Sequence, residues 1–268
     1  MIECLHPGVS ARQARIVLFD FDGTLSLIRT GWVDVMVPMM VEILVDLKTG
    51  ESDQELFTLV EDFVARLTGE QTIYQMIELA RQVELRGGRP LDPVTYKKLY
   101  NERLMAKIEC RREELRQRKV SPEKYVVPGA RALLENFRER GFKMYCASGT
   151  DQVYTQEEAR LIQVNHYFDG RIYGAVDDYK SFSKEILIQK MIASLECRGE
   201  ELLGFGDGYV EIKNVKDVGG VAVGVATAEP ECRTVDAWKR KRLVSVGADF
   251  IIPNYLDHAP LLHLLFPE

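Results

Sequence analysis

Phe19-Asp20-Phe21-Asp22-Gly23-Thr24-Leu25 closes a short apolar run that begins beside Arg15. A run of this length with no polar alternation predicts a strand buried on both faces, at residues 15–20. At its carboxyl end the backbone holds two carboxylates two residues apart. Gly23 then permits a tight turn or a close approach of the backbone to a ligand. Similar runs recur at residues 142–147, 202–205, 220–225 and 249–252. Helix-length segments lie among the later ones, at residues 130–140, 152–163, 183–195, 210–218 and 234–246. Strands alternating with helices predict right-handed βαβ units, and so an α/β core whose parallel sheet has helices on both faces. Ligands of such sheets bind outside the carboxyl ends of the strands, where Asp20 and Asp22 stand.

Residues 27–122 have a different texture. Apolar residues recur there at helical spacing, as in Leu56, Leu59, Val60 and Phe63, or Ile73, Met76, Ile77 and Ala80. Strand-like runs are absent, which predicts an all-helical insertion between the first two strands. The organisation expected is therefore a core of residues 1–26 and 123–268 interrupted by a helical domain at 27–122. The charged tail of the last inserted segment, residues 109–119, reads as a solvated helix face with i,i+4 pairing.

Bulk properties narrow the function classes. The 268 residues carry a net charge of −6, which gives no electrostatic case for nucleic-acid binding. The basic run Lys239-Arg240-Lys241-Arg242 is the local exception, and reads as the solvated face of a helix. The best apolar stretch, residues 32–47, is broken by Asp34, Pro38, Glu42 and Asp46 and does not predict a membrane span. Residues 1–7 lack the basic and apolar regions of a signal peptide. The five cysteines are scattered, with no Cys-x-x-Cys pair, so a reducing, cytoplasmic setting is expected.

A second acidic pair follows the run at 202–205, in Gly206-Asp207-Gly208-Tyr209-Val210-Glu211. If both strand ends face one crevice, Asp20, Asp22, Asp207 and Glu211 converge in it. Two carboxylates about 4 Å apart repel by about 4 kcal/mol at an effective dielectric of 20, so the cluster needs a cation or shared protons. Oxygen donors without His or Cys point to a hard ion, Mg²⁺ where phosphate completes the shell. The strand at 142–147 leads into Ser148-Gly149-Thr150-Asp151 before a helix, where a hydroxyl and backbone N–H groups suit a phosphate-like anion. Lys184 opens the helix at 183–195. A cation there opposes the macrodipole and calls for an anion in front of it, with Lys180 the competing candidate.

Taken in order, Asp-Phe-Asp-Gly-Thr, the Ser148 turn, Lys184 and Gly-Asp-Gly-Tyr-Val-Glu resemble the four motifs of the haloacid dehalogenase (HAD) superfamily. The resemblance is to the subgroup with a helical cap that includes phosphoglycolate phosphatases and β-phosphoglucomutases, and it spans the chain. It implies a Rossmann-like three-layer core with an inserted all-α cap domain. It implies Asp20 as nucleophile, forming an aspartyl-phosphate, and Asp22 as the acid and base. Ser148, Gly149 and Thr150 would hold the phosphoryl group and Lys184 would balance its charge. Mg²⁺ would sit on Asp20, the carbonyl of Asp22, and Asp207, with Glu211 in place of the usual Asp and still able to reach the ion. Thr24 is typical of the phosphatases, where mutases carry an apolar residue, and it is placed among the substrate-binding residues. The linkers at residues 26–30 and 121–128 would be the hinges of the cap.

The expected activity is thus a Mg²⁺-dependent phosphatase of a small phosphorylated metabolite, a sugar phosphate or phosphoglycolate. A β-phosphoglucomutase-type mutase and a non-catalytic phosphate-binding relative are the alternatives. Neither nucleic acid nor membrane is expected as a partner, and the chain would be a monomer or a homodimer. Arg29 could meet a carboxylate or second phosphate of the leaving group. Trp32 could stack on a sugar or pack the cap, whereas Tyr74, Met76 and Tyr100 read as cap core.

Overall fold

The computed structural model describes residues 2–176, 183–195 and 198–267. Lys180, a candidate above, lies outside the described residues, as does Cys197. The strands are β1 (Glu3–Cys4), β2 (Ile16–Phe19), β3 (Lys143–Asp151), β4 (Ile172–Ala175), β5 (Leu202–Gly206), β6 (Val221–Val225) and β7 (Phe250–Ile252). They form one sheet in the order β1-β7-β6-β5-β2-β3-β4, parallel throughout except for β1 against β7. β2 is flanked by β5 and β3 in register, Phe19 pairing with both Phe205 and Cys146. The two acid-bearing strand ends therefore lie side by side.

Side-chain alternation splits the strands between two layers. Val17 and Phe19 of β2 join one apolar cluster, and Ile16 and Leu18 join the other. The first cluster packs under α5 (Ala130–Glu139), α6 (Gln152–Leu161) and α10 (His258–Leu265); the second under α7 (Lys184–Leu195), α8 (Tyr209–Asp217) and α9 (Ala237–Ser245). Phe19 stacks on Phe205 with centroids 4.9 Å apart and meets Phe137 edge-on at 6.2 Å. These contacts, beyond the apolar area they bury, fix the backbone directly before Asp20.

Between β2 and β3 come α1 (Val33–Val45), α2 (Asp53–Arg66), α3 (Thr72–Leu85) and α4 (Pro93–Arg116). Local rules explain their starts: Ser52 and Glu55 close a capping box on α2, and Asp92 caps α4 with Pro93 at its first position. The chain leaves and re-enters the core through two strands-in-miniature. Leu27 N donates to the Tyr125 carbonyl at 2.9 Å and Val127 N to the Leu25 carbonyl at 3.0 Å. The expected hinge segments are thus paired with each other.

Three elements were not expected. β1 is a two-residue edge, β4 carries a glycine in four residues, and α10 has Pro260 in its first turn. The tail at 109–119 also departs from a purely solvated face. Arg112 is buried and binds Glu157 of α6, while Arg111 donates to the carbonyls of Ile28 at 2.7 Å and Thr30 at 2.8 Å. No described helix is long and apolar enough to cross a membrane.

Candidate active site

Asp20, Asp22, Ser148, Gly149, Thr150, Lys184, Asp207 and Glu211 all line one cleft at the carboxyl edge of the sheet. Asp20 extends β2 and is anchored by its N–H, which donates to the Phe205 carbonyl at 2.9 Å. Lys184, the first residue of α7, donates from Nζ to Asp20 Oδ1 at 2.7 Å and also contacts Glu211 Oε1. Its side chain is only 4% exposed, so the anion expected in front of this helix is Asp20. Burial raises the Asp20 carboxyl above the ordinary range, against the opposing pull of Lys184.

Asp22 lies one turn of backbone beyond, its Oδ2 accepting from Ser148 Oγ at 3.0 Å and Thr150 Oγ1 at 2.9 Å. Both hydroxyls sit on the extended end of β3, where pairing with β4 shifts register between Ala147 and Asp151. Burial pushes the Asp22 carboxyl up to about 6, partly offset by Arg29, whose Nε is 3.8 Å from Oδ1. Asp22 Oδ1 has no hydrogen-bond partner although it is buried. A carboxyl that can exist in either form near neutral pH suits proton donation followed by proton acceptance.

Asp207 follows β5 and Glu211 stands in the first turn of α8. Gly23, at φ +74°, brings the turn after Asp22 so close to Asp207 that a Cβ there would lie 2.3 Å from Oδ2. Asp207 Oδ2 in turn binds Lys239 Nζ at 2.8 Å. Its carboxyl is raised by burial and held back by Lys239. Among the described residues no three His, Cys, Asp or Glu side chains stand arranged to hold a metal ion as placed. The carboxylates instead face ammonium groups: Lys184 contacts Asp20 and Glu211, and Lys239 binds Asp207. The donor set still fits a hard divalent cation, being all oxygen, enclosed, and including Glu211 Oε2, which is buried without a hydrogen-bond partner.

Two expected substrate contacts have partners within the protein. Thr24 is fully enclosed: its Oγ1 donates to Asp20 Oδ2 at 3.2 Å and accepts from the Asp207 N–H at 3.0 Å. It braces the two acidic strand ends and is not among the residues that line the cleft. Arg29 lines the cleft, but its guanidinium is held bidentate by Glu158 at 2.8 and 2.9 Å. Glu158 is itself fully buried in α6, and Tyr154 lies under both Arg29 and Arg112 at 5.4 and 5.9 Å. The charge of Arg29 is thereby paired with Glu158, with its Nε 3.8 Å from Asp22 Oδ1.

The inserted helices supply the rest of the wall. Trp32 and Met36 face the cleft from the first, Thr68, Gly69 and Glu70 from the α2–α3 loop, and Tyr100 from α4. The carbonyl of Glu70 crosses directly over Gly149, where a Cβ would approach it to 2.3 Å. Tyr100 is both core and wall. The loop at 68–72 carried only a generic polar signal in the sequence, and Glu158 none. The basic run at 239–242 is only in part the solvated face it suggested: Lys241 is exposed, but Lys239 reaches the site, Arg240 binds Glu3 at 2.7 Å, and Arg242 lies over Trp238 at 4.4 Å.

Residues 14–219 match the family of haloacid dehalogenase-like hydrolases. No curated protein matches the chain. Among solved structures, a predicted phosphoglycolate phosphatase from Haemophilus somnus is 15% identical with a TM-score of 0.58, over 93% of this chain and 98% of that one. A predicted phosphatase from Clostridium acetobutylicum is 19% identical with a TM-score of 0.58, over 93% and 99%. CbbY from Rhodobacter sphaeroides, solved with xylulose-1,5-bisphosphate, is 16% identical with a TM-score of 0.57, over 90% and 95%.

Proposed function

The chain belongs to the haloacid dehalogenase-like hydrolases, and we propose that it is a Mg²⁺-dependent phosphatase of a small phosphorylated metabolite. The observation that carries this reading is the juxtaposition of two inequivalent carboxylates, Asp20 salt-bridged to Lys184 at 2.7 Å and Asp22 held by two hydroxyls. Asp20 attacks phosphorus, forming a carboxylate–phosphorus bond as the bond to the ester oxygen breaks. Asp22 gives its proton to that oxygen, then takes one from the water that hydrolyses the aspartyl-phosphate. Ser148, Thr150 and the Gly149 N–H face the transferring oxygens, and Lys184 balances their charge. Asp20, the Asp22 carbonyl, Asp207 and Glu211 would hold Mg²⁺, which supplies charge neutralisation and alignment of the in-line displacement. Residues 27–122 act as the cap, closing the cleft against bulk water.

Substrate class follows from the charges that remain. The described cations on the cleft wall are Arg29 and Lys184. The first is neutralised by Glu158, and the second is engaged at the phosphoryl site. A sugar monophosphate, neutral beyond its phosphate, therefore suits the cleft better than phosphoglycolate or a bisphosphate. Phosphate release from a panel of these esters, with Mg²⁺ and after chelation, tests the proposal. Release is expected to fall at least about 10²-fold on chelation, the loss of several kcal/mol of charge stabilisation. Metal-independent turnover, or no release from any ester, overturns it. Isomerised sugar phosphate in place of free phosphate would indicate a mutase.

The contact of the cap with Gly149 gives a second expectation. Gly149→Ala cannot be accommodated without moving the Glu70 carbonyl, and with it the cap loop. A displacement of about 1 Å at a reacting site can cost up to about 10²-fold. We expect kcat/KM of Gly149→Ala to fall at least about tenfold, with the far-ultraviolet circular dichroism unchanged. Wild-type kcat/KM would show that the loop is free to yield.

A further inference from the structure

The reaction as proposed makes no use of Lys239 or Glu229. Lys239 Nζ lies 2.8 Å from Asp207 Oδ2 and 2.7 Å from Glu229 Oε1, with 16% of its side chain exposed. Its position is built in. Asp236 caps α9 by accepting from the Lys239 N–H at 2.8 Å, and Arg242, further along the helix, donates to the carbonyl of Ala65 at the end of α2. Glu229 is fixed from its other side, Oε2 accepting from Thr30 Oγ1 at 2.7 Å. The ammonium is therefore shared between two anchored carboxylates, and can give up one while keeping the other.

A carboxylate oxygen bound to an ammonium is not free to ligate a metal, and two cations on one carboxylate repel. Lys239 occupies Asp207 Oδ2 in this way, at 2.8 Å. We propose that Lys239 is a built-in competitor for the divalent-cation site. It holds Asp207 in the metal-free protein, releases it when the cation binds, and is then retained by Glu229. The affinity for the cation is set below what the carboxylates alone would give. The inference rests on Asp207 being a metal ligand, as proposed above.

Titration calorimetry of the full chain with Mg²⁺ alone, without substrate, tests this. Lys239→Met is expected to bind Mg²⁺ at least about tenfold more tightly than wild type, because a neighbouring charge is removed from the site. Lys239→Arg, which keeps the charge, should stay within about threefold of wild type. Glu229→Gln, which leaves the ammonium wholly on Asp207, should bind more weakly. General damage to the site would weaken binding, so a gain cannot arise from misfolding, and Glu229→Gln carries the test if Lys239→Met does not fold. Mg²⁺ binding that is unchanged or weaker in a folded Lys239→Met, or unchanged in Glu229→Gln, overturns this inference while leaving the metal reading intact. Absence of Mg²⁺ binding in wild type and variants alike overturns the metal reading and this inference with it.

Discussion

Asp20→Asn is expected to lower phosphate release by about 10⁴-fold or more, the scale on which removal of a nucleophile acts in well-organised sites. An amide keeps the shape of the carboxyl but cannot attack phosphorus. The fold should survive the change. The backbone at position 20 is held by its N–H bond to Phe205 and by the Phe19–Phe205 stack, neither of which involves the carboxylate. Burial raises the Asp20 carboxyl, so a neutral side chain removes a desolvation cost as well as an ion pair. Lys184 keeps Glu211 as a partner. The thermal midpoint should therefore move little compared with the loss of turnover. Acid quenching followed by peptide mass analysis gives an independent readout, since wild type should carry phosphate on the Asp20 peptide during turnover and the variant none. Undiminished release in Asp20→Asn, or phosphate trapped on another residue, would sink the nucleophile assignment.

How much of this was legible beforehand depended on the range of the interactions. The strand runs and Gly-flanked acids are local, so β2, β5 and the convergence of their carboxylates could be anticipated from pairing rules alone. Lys184 was legible for a similar reason, since a cation at a helix start is electrostatically anomalous unless an anion faces it, and Asp20 does. The orientation of Thr24 was not legible, because one residue cannot say which way it points: its hydroxyl turns inward to Asp20 and to the Asp207 N–H. Arg29 and Glu158 are 129 residues apart, and no periodicity links them. Lys239 was hidden by its neighbours, because a run of four basic residues reads as a solvated face when only Lys241 is exposed and the helix sends Lys239, Arg240 and Arg242 to different partners. β4 and α10 were missed where a glycine and a proline weakened a short signal that tertiary packing then overrode.

Lys184→Met is expected to cost both activity and stability, and the second loss separates its role from a surface lysine's. The ammonium is 4% exposed and bears on Asp20 and Glu211 together. Removing one partner of a buried pair leaves an uncompensated charge at a cost of about 3–5 kcal/mol. For a chain of this size each kcal/mol lowers the thermal midpoint by about 2–4 °C, so a fall of about 10 °C is expected in metal-free protein. Activity should fall by about 10²–10³-fold, the usual effect of losing one preorganised group that meets developing charge. Mg²⁺, held by the same carboxylates in the proposed mechanism, should restore more of the midpoint in Lys184→Met than it adds to wild type. Replacing Glu211 by Gln in the same background removes one of the stranded charges, so the double variant should recover part of the midpoint without recovering activity, a coupling that independent sites would not show. An unchanged midpoint in metal-free Lys184→Met would mean that the acidic strand ends are neutralised by protons rather than by the lysine, and the division of labour between Asp20 and Asp22 would have to be drawn again.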